Sequence, residues 1–334
     1  MQPFAYTRAQ SIEEAMSAGA KASTAQQGAE VRYVAGGTTL IDLMKLDVEQ
    51  PATVVDINHL PLGDIERLSD GGFSIGALVR NADLANHEAI RKSYPVLSQA
   101  LLSGASGQLR NMATTSGNLL QRTRCVYFRD TQSPCNKRKP GSGCPALDGY
   151  HRNLAILGVS DQCIATNPSD MNVALSVLDA VVVVRGSAKD RHIPMAEFFL
   201  LPGNTPQRET PLEPGDLITH VLLPKPVPNS RSLYLKLRDR ASYEFALAST
   251  AVVVALDNGH IASVAVAMGG VGTRPWRSAK AEQAMRGAMP GDDVFRKAAD
   301  IFLADARPRA GNRFKVELAR RCLMKAMRDA CATT

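Results

Sequence analysis

The amino-acid sequence predicts an α+β protein in which short strands alternate with helices. Residues 31–35, 53–57 and 73–78 are runs rich in apolar and β-branched side chains, which are typical of strands. Ser11 and Glu14 form the Ser-x-x-Glu pattern of a helix start. With 334 residues, 45% hydrophobic and 21% charged, the chain is long enough for two or three packed units.

The middle of the chain predicts two helical stretches that flank a region rich in small residues. Residues 82–102 look helical, and residues 168–180 predict a second helix with Ser169 as its N-cap. A buried strand is expected at residues 180–185. Between the helices, residues 103–118 are rich in Gly and Ser, which favours a loop.

The last third of the chain predicts a hairpin followed by a long helix. Asn258 and Gly259 separate two apolar runs, and Asn-Gly between strands is typical of a β-hairpin. A Pro-rich stretch at 201–228 precedes this region. Residues 315–330 place four apolar side chains on one helical face: Val316, Ala319, Leu323 and Met327.

Composition and charge argue against several classes of partner. The net charge of +7 is spread along most of the chain, which indicates a mildly basic surface; attraction to an anionic ligand or an acidic partner is the alternative. Aromatic residues make up only 5%, so we expect no nucleic-acid partner. No run is apolar enough for membrane insertion, and the first residues lack the pattern of a signal peptide.

Two glycine-containing motifs predict a phosphate-binding site. The first, Ala35-Gly-Gly-Thr-Thr-Leu40, follows a predicted strand, where free backbone amides can approach a phosphate closely. The second, at residues 104–119, combines small residues with hydroxyls and side-chain amides, and Arg110 adds positive charge. Most Gly-Gly-Thr turns are only turns, but two such turns are able to clasp one diphosphate from both sides. Neither motif is a Walker loop or a Gly-x-Gly-x-x-Gly fingerprint.

The two motifs closely resemble the FAD-pyrophosphate loops of flavoprotein subunits in the xanthine dehydrogenase-type molybdenum hydroxylases. Ser116-Gly117 stands where many relatives have two glycines. The resemblance covers nearly the whole chain, because further matching motifs follow in order at residues 75–77, 83–84, 168–170, 214–219, 223–224, 236–243 and 269–277.

This resemblance implies a fold and a domain division. The expected fold is the two-subdomain FAD-binding fold of the molybdenum hydroxylase flavoproteins, followed by an α/β C-terminal domain. The first FAD-binding subdomain is expected at 1–58 and the second at 59–190, with an insertion at about 122–150. The C-terminal flavoprotein domain is expected at 191–334.

The resemblance also implies which residues bind FAD. Lys236 would lie near the flavin pyrimidine ring, where positive charge stabilises the reduced ring; the alternative is a surface lysine. Asp170 would lie near the adenosine end or the ribityl chain, and Tyr243 would cover the isoalloxazine or pack elsewhere. The full expected set is Ala35, Gly36, Gly37, Thr38, Thr39, Leu40, Gly107, Gln108, Asn111, Thr114, Thr115, Gly117, Asn118, Leu119, Ile164, Asp170 and Lys236.

Four of the six cysteines follow the spacing C-x9-C-x8-C-x18-C, namely Cys125, Cys135, Cys144 and Cys163. The spacing lacks the C-x2-C pair of zinc ribbons and compact ferredoxins. Subunits that resemble those of 4-hydroxybenzoyl-CoA reductase and bacterial periplasmic aldehyde oxidoreductases carry a [4Fe-4S] cluster on an insertion at this place, so the resemblance implies a cluster here. Cluster-free relatives can also have a cysteine where Cys163 stands. Disulfides, structural zinc and unligated thiols are the alternatives.

The resemblance finally implies a function, with the aldehyde oxidoreductase branch the best fit. The chain would carry electrons between a small subunit with two [2Fe-2S] clusters and an external acceptor, while a large molybdenum-cofactor subunit oxidises the substrate. A periplasmic location, reached by export with a signal-bearing partner, is expected, and the cytoplasm is the alternative. The competing hypotheses are a stand-alone FAD reductase resembling UDP-N-acetylenolpyruvoylglucosamine reductase and a zinc-stabilised binding module.

Overall fold

The computed structural model describes residues 1–186 and 189–332. The first unit of the fold contains a small parallel sheet of three strands. Its strands pair in the order β1-β3-β2, with Thr53 of β3 opposite both Ala5 and Val31. The side-chain oxygen of Ser11 accepts a hydrogen bond from the Glu14 amide at 3.1 Å, as the sequence predicts for a helix start. The elements are β1 (Ala5–Arg8), α1 (Ile12–Gly19), β2 (Val31–Val34), α2 (Leu40–Lys45) and β3 (Thr53–Asp56).

The second unit is a five-stranded antiparallel sheet with helices packed on it. Its strands lie in the order β4-β5-β8-β6-β7. They are β4 (Ile65–Arg67), β5 (Phe73–Gly76), β6 (Val181–Arg185), β7 (Arg191–Pro194) and β8 (Leu217–Leu223). The helices are α3 (Asn81–Asn86), α4 (Glu88–Ser93), α5 (Pro95–Ser103), α6 (Gly107–Met112), α7 (Thr115–Leu119), α8 (Val126–Arg129), α9 (Asp170–Val177) and α10 (Met195–Phe198), with a 3₁₀ turn at Pro145–Leu147.

Two sequence expectations differ from this arrangement. The predicted helix at 82–102 is three helices, because His87 has an extended backbone and Pro95 disfavours helical geometry at Tyr94 before it. The domain boundary expected at residue 190 falls inside the sheet, between the hydrogen-bonded strands β6 and β7. The sheet continues to Leu223, since β8 is its central strand.

The third unit packs helices against a four-stranded antiparallel sheet of order β12-β11-β10-β9. Asn258 and Gly259 both have positive φ, at 48° and 80°, so the predicted hairpin turn is confirmed. The predicted tail helix is also confirmed, with Ala319, Leu323 and Met327 buried. The elements are β9 (Ser230–Leu237), β10 (Ala248–Asp257), β11 (His260–Gly269), β12 (Trp276–Arg277), α11 (Ala279–Met285), α12 (Asp292–Leu303), a 3₁₀ turn (Ala310–Asn312) and α13 (Phe314–Cys331).

Three hydrophobic clusters form the interior of the protein. The largest joins the first two sheets, and the second lies between the third sheet and helices α11, α12 and α13. The third cluster lies under the cysteine segment, where Leu43 and Val48 of the first unit contribute to the same cluster as Phe128 of α8. Within the described ranges, no helix is both long and apolar enough to cross a membrane.

One lysine lies inside the protein, and no carboxylate among the described residues pairs with it. Lys315, near the start of α13, is fully buried, and its ammonium group donates to the backbone oxygens of Leu154, at 2.9 Å, and Gly270. Burial lowers the pKa of Lys315 to about 7, and the nearby Arg152 adds to this effect. Lys315 thus joins the end of β11 to the segment that follows the cysteine loop.

We expect Lys315 to make stability depend on pH. The folded protein releases the Lys315 proton near pH 7, whereas the unfolded chain keeps it to about 10.5, so the folded state binds fewer protons in between. Stability should therefore rise with pH across this window, by up to about 1.4 kcal/mol per unit. Urea unfolding at pH 7 and pH 9 measures this rise. Lys315→Met should abolish it, and the exposed control Lys297→Met should keep it.

Candidate cofactor sites

The two glycine motifs meet in space at a direct backbone contact. A Cβ atom added at Gly36 would lie 1.9 Å from the backbone oxygen of Met112, a separation that no side chain tolerates. Gly36 belongs to the turn between β2 and α2, and Met112 ends α6. The first turn therefore reaches the second only because residue 36 is glycine.

Two polar side chains hold this contact in place. The Asn58 side-chain amide donates to the Ala35 backbone oxygen at 2.9 Å. The Arg80 guanidinium donates to the Asn58 side-chain oxygen at 3.1 Å and to the Met112 backbone oxygen at 2.5 Å. Neither residue was predicted from the sequence. The available signal was that Asn58 lies just after β3 and Arg80 just before α3, because polar residues in such connecting segments often line ligand sites.

The first turn has the free amides that the sequence predicts. In the described part of the chain, no backbone amide of residues 36–40 donates a hydrogen bond to a protein acceptor. Thr39 stands at the N-cap of α2 without a side-chain cap bond, and Gly37 has a φ of 71°. These amides are therefore available to an anionic ligand such as a diphosphate.

In the second turn, the backbone amides of residues 115–117 are not free, unlike those of the first turn. The amide of Thr115 donates to the Val79 oxygen at 2.9 Å, and that of Gly117 donates to the Thr114 hydroxyl at 3.2 Å. The amide of Ser116 is likewise bonded, to the Ala77 oxygen at 2.9 Å. Because these donors are already used, the second turn would offer a ligand its side-chain groups instead.

Two neighbouring cavities share a border at the place where the turns meet. One encloses about 1200 Å³ and the other about 990 Å³, part of each open to solvent. Thr38, Thr39 and Gly117 border both cavities. An extended dinucleotide fits this arrangement, with its diphosphate at the shared border and one ring system in each cavity. Further predicted residues line one of the two cavities: Ala35, Gly36, Gly37, Leu40, Thr114, Asn118, Asp170 and Lys236.

The smaller cavity has a buried ion pair in its wall. The Lys236 ammonium donates to the Asp170 carboxylate at 2.7 Å and to the Ser103 oxygen at 3.2 Å, and Tyr234 donates to the other carboxylate oxygen of Asp170 at 2.5 Å. The Lys236 side chain is only 4% exposed, so the alternative of a surface lysine is wrong. Burial and then the Asp170 charge raise the pKa of Tyr234 well above its ordinary value.

The rim of this smaller cavity carries two exposed aromatic rings, Tyr243 and Phe245. Tyr243 has a positive φ of 53°, which is uncommon for a bulky residue. The Arg124 guanidinium stacks on the Phe245 ring at 5.0 Å from its centre. The guanidinium of Arg110, which the sequence suggested for phosphate binding, donates at 2.7 Å to the Gly104 oxygen and shapes the loop before α6.

The remaining predicted FAD residues lie elsewhere in this region. Three of them, Gly107, Gln108 and Asn111, are exposed on α6. The hydroxyl of Thr115 donates to the Val79 oxygen at 3.1 Å. Leu119 and Ile164 are buried in the hydrophobic clusters. Contact of these residues with FAD therefore stays a prediction.

The four cysteines of the predicted cluster line one small cavity of about 290 Å³. Cys163 comes from the chain beyond the loop, yet it faces the same cavity as Cys125, Cys135 and Cys144. Burial raises the pKa of Cys125 to about 12 and that of Cys144 to about 11. All six cysteines are free thiols in the structure. Across the described residues, no group of three or more His, Cys, Asp or Glu is arranged to hold a metal ion.

Ion pairs fasten the cysteine loop to the rest of the protein. The Lys137 ammonium donates to Glu209 at 2.9 Å, and both Lys137 and the Cys163 thiol line walls of the cysteine cavity. The guanidinium of Arg122 pairs with the buried Glu49 at 2.7 Å and also with Glu209. Because burial of a charge is costly unless it is paired, this network fixes where the loop lies.

Comparisons with known proteins agree with this geometry. Residues 2–226 match the family model "FAD binding domain in molybdopterin dehydrogenase", and residues 233–330 match "CO dehydrogenase flavoprotein C-terminal domain". The chain is an FAD-binding subunit of the molybdenum hydroxylase family. The first match ends at residue 226, just after β8, and the second begins at residue 233, within β9, so the flavoprotein subunit changes domain just after its second sheet ends.

Relatives of this flavoprotein subunit match along its full length. It is 50% identical, over 99% of each chain, to the aldehyde oxidoreductase FAD-binding subunit PaoB of Escherichia coli (strain K12). The glyceraldehyde dehydrogenase medium chain of Sulfolobus acidocaldarius is 26% identical over 98% of each chain. A solved structure of CO dehydrogenase from Oligotropha carboxidovorans superposes with a TM-score of 0.78 at 22% identity, covering 100% of this chain and 99% of the other. The expected fold class is thereby confirmed.

We expect Gly36→Ala to separate the two turns and weaken FAD binding. The added methyl group would collide with the Met112 oxygen, so the turns must move apart. Affinity for FAD should fall by at least about tenfold, equivalent to about 1.4 kcal/mol. Fluorescence titration of the flavin-stripped protein measures this. The control Gly63→Ala, at a position with open space, should bind FAD normally. Unchanged affinity of Gly36→Ala would show that the contact does not shape the site.

Proposed function

We propose that this subunit transfers electrons in a molybdenum-dependent aldehyde oxidoreductase. The observation that carries the proposal is the 50% identity, over 99% of both chains, to the FAD-binding subunit of an aldehyde oxidoreductase. The second relative is also named as a subunit of an aldehyde-oxidising enzyme, a glyceraldehyde dehydrogenase. The aldehyde itself would be oxidised on a different chain, since the two cavities beside the glycine turns would be occupied by FAD.

We propose two partner subunits and an external electron acceptor. Several relatives are named as medium chains, which supports a complex with a large molybdenum-cofactor subunit and a small subunit that carries two [2Fe-2S] clusters. FAD, when bound, supplies the electron-accepting ring between these clusters and the acceptor. The chain's own residues would orient it: the first turn would donate its free amides to the diphosphate, and the Lys236–Asp170 pair would lie beside one ring system.

We further propose a [4Fe-4S] cluster on Cys125, Cys135, Cys144 and Cys163. The arrangement of all four thiols around one cavity supports this, because each thiolate of such a cluster binds a different iron and the ligands surround the cluster. Burial keeps at least Cys125 and Cys144 protonated in the absence of metal, as their raised pKa values indicate. Iron binding would displace these protons, and Lys137 in the cavity wall would offset part of the resulting negative charge.

The aldehyde oxidoreductase proposal is tested by anaerobic addition of an aldehyde to the purified complex. The visible absorption band of the flavin should bleach. The purified complex alone should suffice, without added partner subunits. An isolated chain that is reduced directly by a nicotinamide nucleotide, without any partner subunit, would instead favour the stand-alone reductase. A complex whose flavin does not respond to any of a panel of aldehydes would contradict the proposal.

Iron analysis of the complex tests the cluster. The variant Cys135→Ser should lose about four iron atoms per flavoprotein subunit together with the matching [4Fe-4S] signal in electron paramagnetic resonance. The control Cys331→Ser changes a cysteine of α13 outside this cavity and should keep the full iron content. If both variants contain as much iron as the natural complex, the cluster proposal is wrong. It is also wrong if the natural complex contains zinc in place of this iron.

We propose the periplasm as the location, with export of the folded subunit by a signal-bearing partner. Cell fractionation checks this: the subunit should appear in the periplasmic fraction only when the partner carries its signal. Deleting that signal should leave all three subunits in the cytoplasm. Equal cytoplasmic recovery with and without the signal would support the cytoplasmic alternative.

A further inference from the structure

The carboxylate of Asp42 connects the cysteine loop to the helix that follows the first FAD turn. Asp42 lies on α2, and its two oxygens accept hydrogen bonds from Arg129 at 2.8 and 3.0 Å. Arg124 donates to Asp42 as well, at 2.9 Å. The hydrogen bond from Arg129 is the main reason why the pKa of Asp42 is lowered. Asp42 therefore stays ionised and holds two cationic side chains together.

This ion-pair cluster lies close to the first FAD turn, because Asp42 is in the first turn of α2. Helix α2 starts at Leu40, so Asp42 stands three residues beyond Thr39, which borders both dinucleotide cavities. Any shift of the start of α2 moves the free amides of residues 36–40. Asp42 is thus attached to the diphosphate-binding turn by less than one turn of rigid helix.

The two arginines belong to the cysteine loop. Arg124 directly precedes Cys125, and Arg129 ends α8, which starts right after that cysteine. Arg124 also stacks on Phe245, at the rim of the smaller dinucleotide cavity. A displacement of Cys125 therefore changes the cluster at Asp42 and the wall of the cavity together.

We propose that Asp42 is a positioning residue that couples FAD binding to the ordered state of the cysteine loop. When the loop is folded around its four cysteines, Arg124 and Arg129 hold α2 and the first turn in the FAD-binding geometry. When the loop loosens, α2 loses three hydrogen bonds and the turn binds FAD less tightly. Coupling between two sites is reciprocal, so bound FAD also stabilises the loop. The part of this inference that involves iron rests on the proposed cluster.

Titration of flavin-stripped complex with FAD tests the inference. Asp42→Asn should weaken FAD binding by about tenfold, because a neutral amide cannot hold two guanidinium groups. The conservative variant Asp42→Glu keeps the charge and should restore most of the affinity. The matched control is Asp292→Asn. It removes a carboxylate that accepts hydrogen bonds from two guanidinium nitrogens of Arg328 and that lines neither cavity. Natural affinity in Asp42→Asn would overturn the inference.

Removal of iron distinguishes coupling from simple loss of stability. In the natural protein, chelation of the cluster iron should weaken FAD binding by a similar factor of about ten. In Asp42→Asn the iron-loaded and iron-free forms should bind FAD equally, since the connection is already broken. If iron removal still weakens FAD binding in Asp42→Asn as much as in the natural protein, coupling does not run through Asp42 and the inference is wrong.

The outcomes for the cluster and for the coupling are separable. Absence of iron from the natural complex would refute the proposed cluster, while the affinities of the Asp42→Asn and Asp42→Glu variants would still decide whether the loop positions the turn. Circular dichroism of each variant verifies that it is folded. A variant that fails to fold is replaced by Arg129→Gln, which breaks two of the three hydrogen bonds and should weaken FAD binding severalfold.

Discussion

The backbone contact between Gly36 and Met112 is the constraint on which the cofactor site depends. It brings together the turn after β2 of the first unit and the end of α6 of the second unit, so the site lies between two units that share one hydrophobic cluster. Asn58 and Arg80 span the same junction with hydrogen bonds to both sides. Thr38, Thr39 and Gly117 line both cavities here, so one chain offers a separate cavity for each end of a dinucleotide.

Much of the fold could be predicted from local patterns, because these depend on neighbouring residues. The Asn258–Gly259 hairpin and the helix cap at Ser169 are examples in which turn or capping chemistry decides the structure. The end of the second unit could not be predicted this way. Its central strand β8 lies in a Pro-rich stretch and pairs with β5 and β6, partners that are far away in the sequence.

The site was predicted in part, and the predictions that failed did so for physical reasons. The first turn does leave its amides free, as a strand followed by paired glycines suggests. The second turn does not, because Thr114 caps α7 and the neighbouring amides bond to residues 77–79. Thr is a common N-cap residue, and Thr114 in the sequence was the available sign that a helix starts here. The burial of Lys236 depends on Asp170 and Tyr234, and no local pattern shows that these three meet.

The central place of β8 has a consequence for the order of events during synthesis. Strands β5 and β6 do not pair with each other, so the second sheet stays incomplete until residue 223 has left the ribosome. By then all four cysteines of the small cavity have long emerged, while Glu209, which anchors Lys137 beside them, arrives only shortly before. The residues that line the cysteine cavity, all between 125 and 165, are therefore synthesised before the carboxylate that pairs with Lys137.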